Sequence, residues 1–232
     1  MILIYISGID GCGKTTQSRH LQDWLKTTHH SAEYQWLRWE PSIIPILKKA
    51  RKLLSLSKNN TEPGLGHTAT EDKDEARWGN FKHRLLATRF FQSIWLHYAT
   101  SDYYKAYRHK SCEWDSDFII LDRYLYDFIV DQAVNMSCSA SELDSRLQKT
   151  RLNKMKRPDY FVYIDIPAEV GYERKMDGTP LTYLKKRGHL YKELANGETT
   201  LCIDGTQSPD AIHAEIRAWI SNKLNITKSN QE

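Results

Sequence analysis

Cysteine is scarce in this sequence: 232 residues hold only four, Cys12, Cys112, Cys138 and Cys202. None stands at the close pair spacing of a zinc site or a redox motif, which points to a reducing compartment, the cytoplasm by default. Long apolar runs are missing too, and nothing approaches the length of a membrane span. The first residues already read as a strand, leaving no room for a cleavable signal. Charge of one sign is also lacking. With 33 basic and 29 acidic side chains the formal net charge is +4, too balanced for a dedicated nucleic-acid binder yet compatible with an anionic small substrate. There is no internal repeat and no low-complexity tract. The length suits one large α/β domain with a sizeable core, and two unrelated domains would be tight.

What is present is concentrated near the start. The apolar run Ile2, Leu3, Ile4, Tyr5, Ile6 reads as a buried strand, and GIDGCGKTT follows it at residues 8 to 16. Gly8, Gly13, Lys14 and Thr15 fill the frame G-x-x-x-x-G-K-[ST], and a helical pattern comes next. In that context Gly8, Gly11, Cys12, Gly13, Lys14, Thr15 and Thr16 form a phosphate-binding loop. Its backbone N–H groups point at phosphate oxygens, the helix start adds its positive dipole end, and Lys14 adds a full charge. Thr15 offers a hydroxyl to a magnesium ion. Cys12 is either a passive small residue or, near a helix start, a thiol of lowered pKa.

The rest alternates strand and helix. A helix over Lys14 to Lys26 precedes a strand at Tyr34 to Trp39, stopped by Glu40 and Pro41. Ile43 to Leu56 reads as a helix with a basic face, and residues 57 to 74 as a polar loop that is either functional or disordered. Glu75 to Tyr107 is the longest helical pattern, with Phe81, Leu85, Phe91, Ile94, Trp95 and Tyr98 at helical spacings that read as core, and a polar strip at Arg89, Gln92 and Ser93 that either faces solvent or lines a site. A second buried strand, Phe118 to Leu121, ends in Asp122, Arg123 and Tyr124. In an open parallel sheet that end gathers ligands and should lie beside the loop. Two helices, Leu125 to Val134 and Ser141 to Leu152, lead to a strand at Tyr160 to Ile166. Residues 168 to 195 are helical, rich in charge and interrupted at Asp177, Gly178 and Pro180. Arg174, Lys175, Lys185, Lys186 and Arg187 there are either a solvated face or part of a site. A last strand, Thr200 to Ile203, precedes a closing helix from Ser208 and Pro209. The order implies an α/β fold, with a parallel sheet covered by helices on both faces.

Taken together, GIDGCGKTTQ at 8 to 17, Trp39 with Glu40 and Pro41, Arg89, and Asp122 with Arg123 and Tyr124 resemble the thymidylate kinase family. So do Asp165, Ile166 and Pro167 with Glu173 and Arg174, YKELA at 191 to 195, and IDGTQSPDAIHAEI at 203 to 216. The resemblance runs nearly end to end. It implies a three-layer P-loop kinase fold with a five-stranded parallel sheet and a short helical lid, one domain over residues 1–232 with an inserted loop at 57–74 and the lid at about 174–190. It also implies ATP-dependent phosphoryl transfer to a nucleoside monophosphate, dTMP to dTDP, with Mg2+ as cofactor. The expected assembly is a homodimer through the long helix. On this resemblance Lys14 holds ATP phosphates, Asp10 lies near the acceptor's sugar and phosphate, and Arg123 grips the acceptor phosphate with its planar fork. Glu40, Leu85, Arg89 and Asp122 complete the acceptor side, Arg89 at the position that hydrogen-bonds thymine. Family members with an arginine inside the loop do not need one from the lid. Here Gly11 stands at that place, so Arg174 is the expected lid cation, with Lys185, Lys186 or Arg187 in support.

Three departures bear on the acceptor. Leu85 replaces the phenylalanine that stacks on thymine, a contact of about 1 to 3 kcal/mol per base unless Phe81 substitutes. Asp127, Phe128 and Asp131 stand where small or amide residues are usual, and carboxylates there should repel an anionic nucleotide. The Arg-Glu-Pro run appears as Trp39, Glu40, Pro41 with Arg38 one place early. These changes motivate a second reading, a divergent paralogue acting on another nucleotide, a nucleoside or a small metabolite. A non-catalytic nucleotide switch is disfavoured, because the nearest string to a guanine reader, Asn222 to Asn225, ends in the wrong residue.

Overall fold

Runs such as Leu3–Ile6 and Phe118–Leu121 carry no polar residue to face water, so both faces of their strands have to be covered. In the computed structural model, which describes residues 1–43, 88–175 and 178–224, they are the two central strands of a sheet. Its members are β1 (Ile2–Ser7), β2 (Ala32–Trp36), β3 (Phe118–Asp122), β4 (Tyr160–Asp165) and β5 (Thr200–Asp204). The order is β2-β3-β1-β4-β5 and every pairing is parallel. Leu3 to Ile6 and Ile119 to Leu121 are wholly buried.

Seven α-helices are described: α1 (Lys14–Thr27), α2 (Arg89–Ser111), α3 (Leu125–Met136), α4 (Ala140–Leu147), α5 (Ala168–Lys175), α6 (Leu181–Leu194) and α7 (Pro209–Leu224). Helices α1 and α7 pack on each other in one layer, through the His20 and His213 rings and a bond from Gln17 to the Pro209 carbonyl. Helices α3, α4 and α6 pack together in the other, with Tyr103 of α2 stacked on Phe128 of α3. The three-layer α/β arrangement expected from the sequence is therefore present. No helix among the described residues is long and apolar enough to cross a membrane.

Boundaries moved where local hydrogen bonds divert the backbone. The second strand ends at Trp36 instead of Trp39, because the Leu37 N–H turns to the carbonyls of Asp122 and Arg123, each at 3.2 Å. The helix expected over Ser141 to Leu152 stops at Leu147. Thr150 donates to the Leu147 carbonyl at 2.6 Å and accepts from the Leu152 N–H, diverting the chain into a 3-10 turn at Arg151–Lys154. The charged stretch after β4 divides into α5 and α6, with Gly178 left-handed and Pro180 preceding the first turn of α6. The expected helix beyond Ile43, the loop at 57–74, and Phe81 and Leu85 of the long helix lie outside the described residues.

The registers decide where the site is. Ile6 and Trp36 both pair with Asp122, and Ser7 pairs with Tyr163. The segment leaving β1 at Gly8 and the one leaving β3 at Arg123 thus emerge side by side at the carboxyl edge, where the strand order switches about β1. Helix α5 closes on the same point. A Cβ at Gly11 would lie 2.5 Å from the Gly171 carbonyl oxygen, and one at Gly171 would lie 2.6 Å from that of Asp10. The two glycines let helix backbone rest on loop backbone. Gly171→Ala should therefore lower unfolding free energy by about 1–3 kcal/mol through overpacking. Urea unfolding checks this, and an unchanged midpoint would mean that α5 does not bear on the loop.

Candidate active site

Gly13 ends the loop with φ of 93°, a left-handed turn that glycine adopts without strain, and starts α1 as its N-cap. The first N–H groups of α1 have no carbonyl one turn behind them and are open to an anion. Lys14 is buried. Its Nζ donates to the loop carbonyls of Gly8 at 3.0 Å and Ile9 at 2.9 Å and stands 3.7 Å from the Asp10 carboxylate. An open cleft of about 230 Å³ lies over this turn. It is lined by Asp10, Gly11, Gly13, Lys14, Thr15 and Thr16 of the loop, with Trp36, Asp122, Arg123 and Lys175.

Thr15 donates its hydroxyl to Asp122 at 2.7 Å, and Tyr34 donates to the same carboxylate oxygen at 2.9 Å. Burial and the Asp122 charge push the Tyr34 hydroxyl up to about 12, so it stays a donor at neutral pH. A hydroxyl and a carboxylate oxygen side by side suit a small hard cation. No group of three or more His, Cys, Asp or Glu side chains gathers among the described residues.

Arg123 is 8% exposed and its backbone is left-handed, φ 64°. One end of its guanidinium pairs with Asp10 and the other donates to Asp127 at 3.3 Å. Burial opposes its charge, but Asp127 and Asp10 outweigh that and keep it ionised. Burial alone would push the Asp10 carboxyl up. The charges of Arg123 and Lys14 prevail and hold it well below the usual carboxylate range. The cleft is thus a set of charges, with Lys14, Arg123 and Lys175 set against Asp10 and Asp122 at the ends of β1 and β3. Burial pushes the Cys12 thiol up, and at 2% exposure it is the passive loop residue of the two readings.

The expectations for the two carboxylates and for the lid cations change. Asp127 and Asp131 do not stand free to repel a ligand. Asp127 accepts from Tyr5, Tyr191, Arg123 and the Tyr124 N–H, and Asp131 pairs with Arg187. Arg187, expected in support at the phosphates, is 1% exposed and committed to those carboxylates. Arg174 is exposed and donates to the backbone carbonyls of Gly205 at 3.1 Å and Gly11 at 3.5 Å. It is the next residue, Lys175, that lines the cleft, 3.8 Å from Asp10. Lys185 pairs with Glu169 at 2.7 Å and does not line the cleft.

The structure therefore brings Asp10, Gly11, Gly13, Lys14, Thr15, Thr16, Asp122 and Arg123 together, with Gly8 and Cys12 buried behind them. Glu40 and Arg89 are exposed and do not line the cleft, and Leu85 lies outside the described residues. Sequence reasoning missed Tyr34 and Trp36 because nothing in a short strand says which residue ends it. It named Asp122 for the substrate and overlooked the Thr15 contact, although an apolar strand ending in Asp beside such a loop was the available signal.

A glycine loop between strand and helix, a buried lysine within it, a Thr–Asp oxygen pair and an arginine just past the end of the adjoining strand define a P-loop phosphotransferase. The comparison with known sequences narrows the class. The family described as thymidylate kinase matches residues 67–216, and the chain belongs to that family of nucleoside monophosphate kinases. A probable thymidylate kinase of Archaeoglobus fulgidus is 24% identical over 235 residues, spanning 98% of this chain and 99% of that protein.

Replacing Lys14 by methionine should lower turnover about 10²–10³-fold, the loss of one fixed charge at a developing oxyanion. The melting temperature should shift by less than about 4 °C, under 1 kcal/mol for this size. Steady-state kinetics with a thermal melt check both. Turnover near wild type would remove Lys14 from the chemistry.

Proposed function

We propose that the chain transfers the γ-phosphoryl group of ATP to the phosphate of dTMP, giving ADP and dTDP. The observation that carries this reading is the meeting of Lys14, Asp10 and Arg123 at the ends of two adjacent strands. A donor phosphate chain lies along the loop N–H groups and Lys14. An acceptor phosphate enters from the Arg123 side, where the planar fork can hold two oxygens at once. The acceptor's phosphate oxygen then meets the γ-phosphorus between two cations, its new O–P bond forming as the bond from that phosphorus to the ADP oxygen breaks, and a loose phosphoryl transition state needs little beyond such alignment and charge. Asp10 keeps its negative charge and sets the distance between Lys14 and Arg123. Mg2+, when bound, neutralises the phosphate oxygens, and Thr15 and Asp122 are the residues that would hold it. Lys175 supplies the further positive charge that a loop with glycine at residue 11 lacks.

The acceptor reading gains from the pairing of Asp127 and Asp131, since carboxylates that already have cationic partners no longer argue for a neutral acceptor. Residues 1–232 are taken as a single domain, with the lid at about 174–190 and Arg89, Glu40 and Leu85 on the base side. A cytoplasmic location is supported by four free cysteines. A homodimer is supported by Phe90, Phe91 and Ile94, which are exposed on the first turns of α2.

Coupled ADP release across nucleoside monophosphates tests the reading. dTMP should give the highest kcat/KM, and protein that binds ATP but is stimulated by no monophosphate would overturn it. Arg123→Ala should lower kcat/KM for dTMP about 100-fold or more while the ATP dissociation constant stays within about twofold. Equal losses on both substrates would argue against Arg123 as the acceptor's partner.

A further inference from the structure

Asp127 lies in the first turn of α3, four residues after Arg123, and is 1% exposed. The hydroxyls of Tyr5 and Tyr191 donate to its carboxylate. The Tyr124 N–H donates to it at 3.1 Å, Arg123 at 3.3 Å, and the Arg187 guanidinium lies 3.6 Å away. These groups come from β1, from the turn after β3, and from α6. One buried carboxylate therefore ties three elements to the rim of the cleft.

Its two contacts with the turn after β3 define a job. Arg123 has a positive φ, which a non-glycine residue holds only when its surroundings over-determine it. The bond from Tyr124 N–H to Asp127 fixes the peptide that follows Arg123, and the bond from the guanidinium fixes the other end of the same residue. A serine or amide there could accept from Tyr124 N–H. It could not balance two guanidinium groups that share one carboxylate. Without the charge of Asp127, Arg123 and Arg187 would face each other inside the protein with only Asp10 and Asp131 at their far sides. Arg187 also lies against the rings of Tyr183 and Tyr191, at 5.5 and 5.4 Å, which holds it inward.

We propose that Asp127 is a positioning residue for the acceptor phosphate, acting through Arg123, and that Arg187 braces Asp127 from α6 instead of reaching a phosphate. The proposal rests on the reading that Arg123 takes the acceptor phosphate. Asp127→Asn keeps the shape and removes the charge. The expected result is a tenfold or larger fall in kcat/KM for dTMP, with the ATP KM within twofold and no further fall when the change is added to Arg123→Ala. A folded D127N enzyme within twofold of wild type on dTMP, or one whose loss recurs at full size in the Arg123→Ala background, overturns it. If D127N does not fold, the charge-balanced pair Asp127→Asn with Arg187→Gln replaces it under the same criteria. A crystal structure of the variant separates this proposal from the functional reading, because it needs no acceptor. An Arg123 guanidinium displaced from Asp10 supports the positioning role, and an unmoved one overturns it, whether or not wild-type enzyme phosphorylates dTMP.

Discussion

The guanidinium of Arg123 stands between two carboxylates, Asp10 on the loop and Asp127 in the core, and the geometry of the cleft depends on that bridge. A buried cation with one missing partner carries a desolvation penalty of several kcal/mol, so both carboxylates are needed to hold the guanidinium where the paired ends of β1 and β3 place it. Asp10 in turn sits within 4 Å of Lys14 and Lys175. Each cation of the cleft is thus fixed by an anion that a phosphate can partly replace. An incoming phosphate meets charges already desolvated and aimed, which reduces the reorganisation left for the chemical step.

The same bridge explains why the lid-side helices matter. Helix α6 reaches the network through Arg187 and Tyr191, and α5 reaches the loop through backbone contact at Gly171. Both sit on the carboxyl edge, beyond the ends of β4 and β1. Packing in the two layers holds the sheet, while polar contacts hold the edge.

Much of this was legible in the chain. The unbroken apolar runs at 2–6 and 118–121 gave away the central strands, because only strands buried on both faces need no polar residue. The loop frame and the Asp122–Arg123 pair located the site, since a parallel sheet brings strand ends to one edge. The partners of Asp127 were not legible. Tyr5 is 122 positions away and Tyr191 64 positions away, and nothing local shows that a carboxylate at helix spacing from Arg123 turns inward to meet them. Read alone, Asp127 was a repulsive charge, and three-dimensional pairing reversed its meaning. Arg187 failed for the same reason, because a basic run in sequence does not show which member faces the core.

The loop glycine at residue 11 shows how one contact changes an inference of this kind. A loop lacking its own arginine needs a cation from elsewhere, and the sequence pointed to Arg174. The structure adds why the loop lacks one: the space beside residue 11 is filled by the backbone of α5 at Gly171, too close for any side chain. That approach also determines which residues of α5 reach the loop. Arg174, three positions on from Gly171, is drawn to the carbonyls of Gly11 and Gly205 and joins the loop to the end of β5. Lys175, four positions on, comes down beside Asp10. A flexible ammonium with three donors suits an open cleft, whereas the rigid fork of arginine suits a fixed pair of carbonyls. The packing of α5 on the loop excludes an arginine from residue 11 and, by the same contact, brings a lysine to the cleft beside Asp10.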